Sequence, residues 1–184
     1  MIKDLIAKKH YATDKFTSHS YLDSYESVLA AKKDTALNVL EIGVSKGGSI
    51  LLWRDYFEKA QIYGLDVEDM PEDIVNDSKE RINIIKANAY DEKFIKENFI
   101  NKGIKFDFLI DDGPHLLPSM QFFATHYSML MAPGAIMIIE DIPILEWGAQ
   151  IISCFPKNVQ SKARTIDLRS IQNRWDDIIV VLET

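Results

Sequence analysis

A single cysteine, Cys154, stands in 184 residues, which excludes an intramolecular disulfide framework and a zinc site built on thiolates. Positive charge is scarce as well. Lys and Arg number 21 against 28 Asp and Glu, for a net charge of −7, and no basic cluster gives the electrostatic footprint of a general nucleic-acid binder. No apolar run approaches the length that spans a bilayer, and the opening MIKDLIAKKHYATDK has no apolar core of signal-peptide length. These absences predict a cytoplasmic protein that engages neither nucleic acid nor membrane and takes a small-molecule or sugar partner; they leave homo-oligomer formation open. What is present is ordinary globular composition, 47% hydrophobic and 27% charged. The length suits one domain, residues 1–184, with residues 1–35 as a helical cap.

Short apolar runs recur with helix-like segments between them, the pattern of a parallel sheet covered on both faces. Strands are expected at 38–42, 61–66, 82–86, 106–111, 135–140, 163–167 and 177–182, with helices at 21–31, 49–57, 91–101, 118–131 and 145–155 and a weak turn near 72–79. The helix at 21–31 is expected on the edge of the sheet. Pro133 and Gly134 break the chain before the fifth strand. Residues 168–175 are short, polar and irregular, so the last two strands should form a hairpin with the terminal strand antiparallel at one side of the sheet. The fold class is therefore α/β, a Rossmann-like doubly wound seven-stranded sheet, mostly parallel with an antiparallel C-terminal strand.

Ligands of such a sheet bind beyond the carboxyl ends of its strands. After the first strand, Gly43, Gly47 and Gly48 allow a tight turn and close backbone approach to a ligand. Asp66 ends the second strand, about twenty residues on, where a carboxylate can accept from both hydroxyls of a ribose. The loop E-x-G-x-x-x-G-G departs from the G-x-G-x-x-G of an NAD site. Glu41 puts negative charge before the turn, which suits a cationic nucleoside such as S-adenosylmethionine better than a diphosphate. The plainer alternative is that these glycines only make a turn.

Asp112, Glu140 and Asp141 end or follow neighbouring strands, and three carboxylates gathered there need a cation. Oxygen ligands favour a hard divalent ion, Mg²⁺ above all, with Mn²⁺ or Ca²⁺ as alternatives. His115, three residues after Asp112, could take the proton of a metal-bound hydroxyl and so let the oxygen attack a sulfonium methyl. Against this stands the reading of Asp111 or Asp112 as a helix cap and of Glu140 and Asp141 as a solvated strand end. His126, among Phe122, Phe123 and Tyr127, reads as structural. Trp147 and Phe155 could line an acceptor pocket or simply pack in the core.

With T-D-K-F-x-S-H-S-Y near the start, V-L-E-I-G-V followed by G-G-S-I-x-x-W-R-D-Y-F, I-Y-G-L-D, I-D-D-G-x-H and I-E-D, the chain resembles the metal-dependent class I methyltransferases that O-methylate sugars of macrolides and other glycosylated natural products. It is similar also to the cephalosporin-hydroxylase-type group. The resemblance implies Asp112, Glu140 and Asp141 as metal ligands and His115 as general base. It puts Gly43, Ser49, Asp66, Ala89 and Tyr90 on cofactor-binding positions, with Glu41 and Asp111 beside them. Lys15, His19 and Tyr21 match an amino-terminal motif that closes over the cofactor, Lys15 pairing with the methionine carboxylate. Pro114 stands where the family usually has serine. Relatives acting on large antibiotics often carry a further amino-terminal domain, which this sequence is read as lacking, so the acceptor transfers least. The expected activity is O-methylation of a sugar or glycosylated metabolite. Rival readings are methylation of a catechol-like small molecule, or a non-catalytic cofactor-binding protein.

Overall fold

The computed structural model describes residues 1–69 and 81–184; the weak turn expected near 72–79 lies outside them. Seven strands form one sheet: β1 (Asn38–Ile42), β2 (Gln61–Asp66), β3 (Ile82–Lys86), β4 (Phe106–Asp111), β5 (Met131–Ile139), β6 (Ala163–Asp167) and β7 (Ile178–Glu183). Their order is β3-β2-β1-β4-β5-β7-β6. β7 runs antiparallel to both β5 and β6, while β1 through β5 pair in parallel. Strand order reverses between β1 and β4, which opens a crevice at their carboxyl ends.

Side chains of successive strand residues alternate between two apolar layers. Val39, Phe108, Ile110, Ile136, Ile138, Ile179 and Val181 face α1 (Ile2–Lys8), α2 (Leu22–Leu29) and α3 (Gly48–Tyr56). Leu40, Ile42, Leu109, Met137, Ile139, Val180 and Leu182 face α4 (Glu92–Ile95), α5 (Leu117–His126) and α6 (Leu145–Ile152). Both faces of the central strands are thus buried, which is why those strands read as unbroken apolar runs.

Four expectations are corrected. α2 lies over the middle of the sheet, not its edge: Tyr25 packs 5.5 Å from Trp53 and 6.4 Å from Phe108 on β4, ring centroid to centroid. β7 is inserted between β5 and β6 rather than at one side, and a one-turn helix, α7 (Arg169–Gln172), joins β6 to β7. β5 starts before Pro133 and Gly134, since Met131 already pairs with Phe106 before the register shifts and resumes at Ile136; the pair makes an irregularity inside the strand instead of a boundary. The segment expected as one helix over 91–101 changes from α4 to a π-helical turn, Lys96–Ile100, after Asp91 caps its start by accepting from the N–H of Lys93 at 2.8 Å. No helix among the described residues is long and apolar enough to cross a membrane.

Candidate active site

The crevice between β1 and β4 is held tightly closed at its floor. Asp112 donates its backbone N–H to Ile42 at 2.9 Å, and Gly43 donates to Leu65 at 2.9 Å. Gly43 has φ +83°, and a Cβ there would overlap the carbonyl of Asp112, so only glycine lets the two loops meet. Gly48 plays a different part from the one expected. The space where its Cβ would stand is filled by the backbone of Ala12, so this glycine admits the chain's own amino-terminal segment, not a ligand.

Above this floor lies a cleft of about 660 Å³. Gly43, Asp66, Ala89, Tyr90, Asp112, His115 and Asp141 all line it. Asp66 accepts from the N–H groups of Val44 (2.8 Å) and Ser45 (3.0 Å) through Oδ2 and from Glu68 (3.0 Å) through Oδ1. Burial raises its pKa, but these backbone donors outweigh burial and hold it below the usual carboxylate value. Tyr90 donates its hydroxyl to Asp111 Oδ1 at 2.5 Å, in space that a Cβ on Gly113 would take. Tyr127 donates to the carbonyl of Ala89 at 2.7 Å and fixes the loop after β3.

On the opposite wall, Asp112, His115 and Asp141 bring one ligand atom each to within 4.8 Å of one another. His115 Nε2 lies 3.2 Å from Asp112 Oδ1 and 3.5 Å from Asp141 Oδ2. Both His115 and Asp141 have left-handed backbone, φ +55° and +54°, a conformation that costs non-glycine residues energy and recurs at functional sites. Burial lowers the pKa of His115, yet the hydrogen bond to Asp112 and the charge of Asp141 more than reverse it. Neither Asp111 nor Asp112 caps α5, whose N-cap is Leu116 with no side-chain bond.

The remaining expected residues sit behind this wall. Lys15, only 2% exposed, donates to both Asp112 Oδ2 and Glu140 Oε2 and stands 3.6 Å from Glu41 Oε1. It therefore faces three carboxylates of its own chain. Burial disfavours its charge, but three carboxylates raise its pKa well above the ordinary value. Glu140, expected as a metal ligand, accepts through its other oxygen from the Tyr25 hydroxyl at 2.5 Å. Glu41 accepts from Ser49 Oγ at 2.8 Å, and its burial pushes its pKa up to about 7. Tyr21 donates to Asp141 Oδ1 at 2.5 Å, and His19 Nδ1 lies 2.8 Å from Asp177 Oδ1. Burial pushes Asp111 to about 7 also.

Two kinds of residue were missed. Tyr25 follows Tyr21 by four positions at the start of α2, the spacing that puts two side chains on one helix face; that spacing was the available signal. Asp176 and Asp177 precede β7, and because β7 is antiparallel its amino end, not its carboxyl end, reaches the active rim. Trp147 and Phe155 pack into the core around α6, so they do not line the cleft. His126 stacks on Phe122, ring centroids 4.1 Å apart, and serves packing.

The chain is similar to several characterised proteins. It is 30% identical over 152 residues to the 8-demethyl-8-alpha-L-rhamnosyl tetracenomycin-C 2'-O-methyltransferase of Streptomyces olivaceus, covering 78% of this chain and 38% of that protein. It is 29% identical over 145 residues to the mycinamicin VI 2''-O-methyltransferase of Micromonospora griseorubida, covering 74% and 35%. The chain thus spans little more than a third of the curated relatives it matches. Among solved structures, the MycE methyltransferase of the mycinamycin biosynthetic pathway, in complex with Mg and SAH, superposes with a TM-score of 0.74 at 22% identity, covering 99% of this chain and 54% of that one. No protein-family model matches. The fold is that of the Rossmann-like methyltransferases.

Proposed function

We infer that this chain, a homologue of bacterial sugar O-methyltransferases, is a single methyltransferase domain. It uses S-adenosylmethionine and Mg²⁺ (or Mn²⁺) to methylate a hydroxyl of a sugar or glycosylated metabolite. The observation that carries the reading is one cleft with Asp66 on one wall and the Asp112, His115 and Asp141 group on the other. The donor set fits the proposed groups. Two carboxylates open to the cleft offer oxygen ligands to the ion, and the imidazole stands beside them, leaving positions for water or acceptor oxygens. The same negative wall favours a sulfonium.

When bound, these groups supply an electrophilic methyl and a cation that lowers the pKa of an acceptor hydroxyl. Asp66 keeps free lone pairs after its backbone bonds and accepts from the ribose hydroxyls. His115 takes the acceptor's proton: its Nε2 lies 3.2 Å from Asp112 Oδ1, beside the carboxylates that would hold the ion. Asp112 stays ionised, since burial raises its pKa but the Lys15 ammonium and His115 hold it low. Tyr21 orients Asp141 through its 2.5 Å hydrogen bond. Turnover of a labelled methyl donor with Mg²⁺, on sugar-bearing and catechol acceptors in parallel, tests the assignment. Transfer to sugars that EDTA abolishes is expected; transfer to catechols alone would move the activity to small-molecule hydroxyls, and failure to bind S-adenosylhomocysteine would reject methyl transfer altogether.

A further inference from the structure

Lys15 occupies the place where the metal's counter-charges lie. Its ammonium donates to Asp112, a residue of the cleft-facing group, and to Glu140 behind it. A divalent ion on Asp112 would stand beside this buried ammonium, and like charges at such a separation repel strongly where water does not screen them. One carboxylate oxygen nearby makes no hydrogen bond, only a longer ion pair to the lysine itself. Glu41 Oε1 is 3.6 Å from Lys15 Nζ, fully buried, and without a hydrogen-bond partner among the described residues. The neighbouring Oε2 is already held by Ser49, so Oε1 stays within ion-pair distance of the lysine, 3.6 Å away.

We propose that Lys15 is a resident cation that changes carboxylate partners: it neutralises Asp112 and Glu140 in the metal-free protein and passes to Glu41 Oε1 when a divalent ion binds. The inference rests on the metal reading above. It makes Lys15 and Glu41 positioning residues that set metal affinity without touching metal or acceptor. It also ties the amino-terminal segment, which packs on Gly48 through Ala12, to occupancy of the metal site.

Binding of Mn²⁺, followed by its electron paramagnetic resonance signal, in the wild type, Lys15→Met, Glu41→Gln and the double variant tests this. Lys15→Met should bind Mn²⁺ at least tenfold tighter, because the competing cation is gone. Glu41→Gln should bind it several-fold more weakly, because the ammonium loses its alternative partner. In the double variant the Glu41 effect should vanish. If Glu41 acted only as one more negative charge, its substitution would weaken binding equally with or without Lys15, and additive effects of that kind overturn the handover. A second readout does not depend on Lys15→Met folding. In ¹⁵N-lysine-labelled wild type the Lys15 Nζ resonance should move on saturation with Mg²⁺, and should move less in Glu41→Gln; a resonance that stays still while metal binds overturns the proposal. No Mn²⁺ binding in any chain removes the metal reading and this inference together, whereas equal binding in all four removes the handover alone.

Discussion

The front and the back of the acidic wall contain the same chemical groups and are built in opposite ways. Facing the cleft, Asp66, Tyr90, Asp112 and His115 are partly exposed and retain hydrogen-bonding capacity beyond what the protein uses. Behind it, Lys15, Tyr21, Tyr25, Glu140 and Asp177 are buried, and each is matched by a partner within the protein through an ion pair, a tyrosine hydroxyl or His19. A front carboxylate is priced by what it can bind; a back carboxylate must be matched internally, because an unpaired charge in the interior costs several kcal/mol. Function and stability should therefore separate along this wall, although the two sets are adjacent in sequence: Asp141 faces the cleft and Glu140 does not.

Substitution of His115 by Ala gives the largest separation. Turnover should fall by about 10²–10⁴-fold, the range for a positioned acid or base, with affinity for S-adenosylhomocysteine and the urea midpoint unchanged. A near-normal rate would remove His115 as the base. On the back, Lys15→Met should leave Asp112, Glu140 and Glu41 uncompensated and cost about 3–5 kcal/mol of stability in EDTA, read from urea denaturation, with Mg²⁺ restoring part of it. Loss of activity without loss of metal-free stability would place Lys15 on the front instead. Gly43→Ala tests the floor between them. Its positive φ and the overlap of a Cβ with the Asp112 carbonyl should cost about 1–3 kcal/mol and lower turnover as well, because the loop carrying Asp112 and His115 would be displaced.

Most of the scaffold was legible in the sequence for a simple reason. Strands buried on both faces, such as β1 and β4, are short apolar runs flanked by polar residues, so their limits coincide with changes of composition. β5 was cut short because Pro133 and Gly134 look like a boundary, although Met131 still pairs across the gap with Phe106. The residues of the site were legible as types: acids at strand ends, a histidine three positions on, glycines after β1. Their division between front and back was not. Glu41 shares strand parity with Val39 and so points to the amino-terminal layer rather than the cleft. Whether that side is solvent or protein depends on where residues 9–21 travel, and no local signal in those residues carries it. Asp177 was within reach of the sequence, since the antiparallel terminal strand expected there brings its amino end to the rim.

Titration gives the smallest effect and the sharpest contrast. Asp66 on the front has its pKa held below the ordinary carboxylate value, burial being outweighed by the N–H groups of Glu68, Ser45 and Val44. Near pH 4 the unfolded chain then binds more protons at this residue than the folded one, so its contribution to stability is complete above the unfolded value and is lost as pH falls through the folded value. Glu41 and Asp111 have the reverse sign. Burial pushes each up to about 7, so from about pH 4 to 7 the folded protein binds more protons there than the unfolded chain, and stability falls as pH rises across that window. In metal-free protein, Asp66→Asn should flatten the acid limb of the stability profile below about pH 4. Asp111→Asn should instead flatten the decline between about pH 4 and 7 and leave the acid limb as it was. Urea midpoints at a series of pH values measure both limbs in one experiment. If the two variants flatten the same limb, the groups share one kind of environment and the division of the wall into a binding front and a self-matched back is wrong.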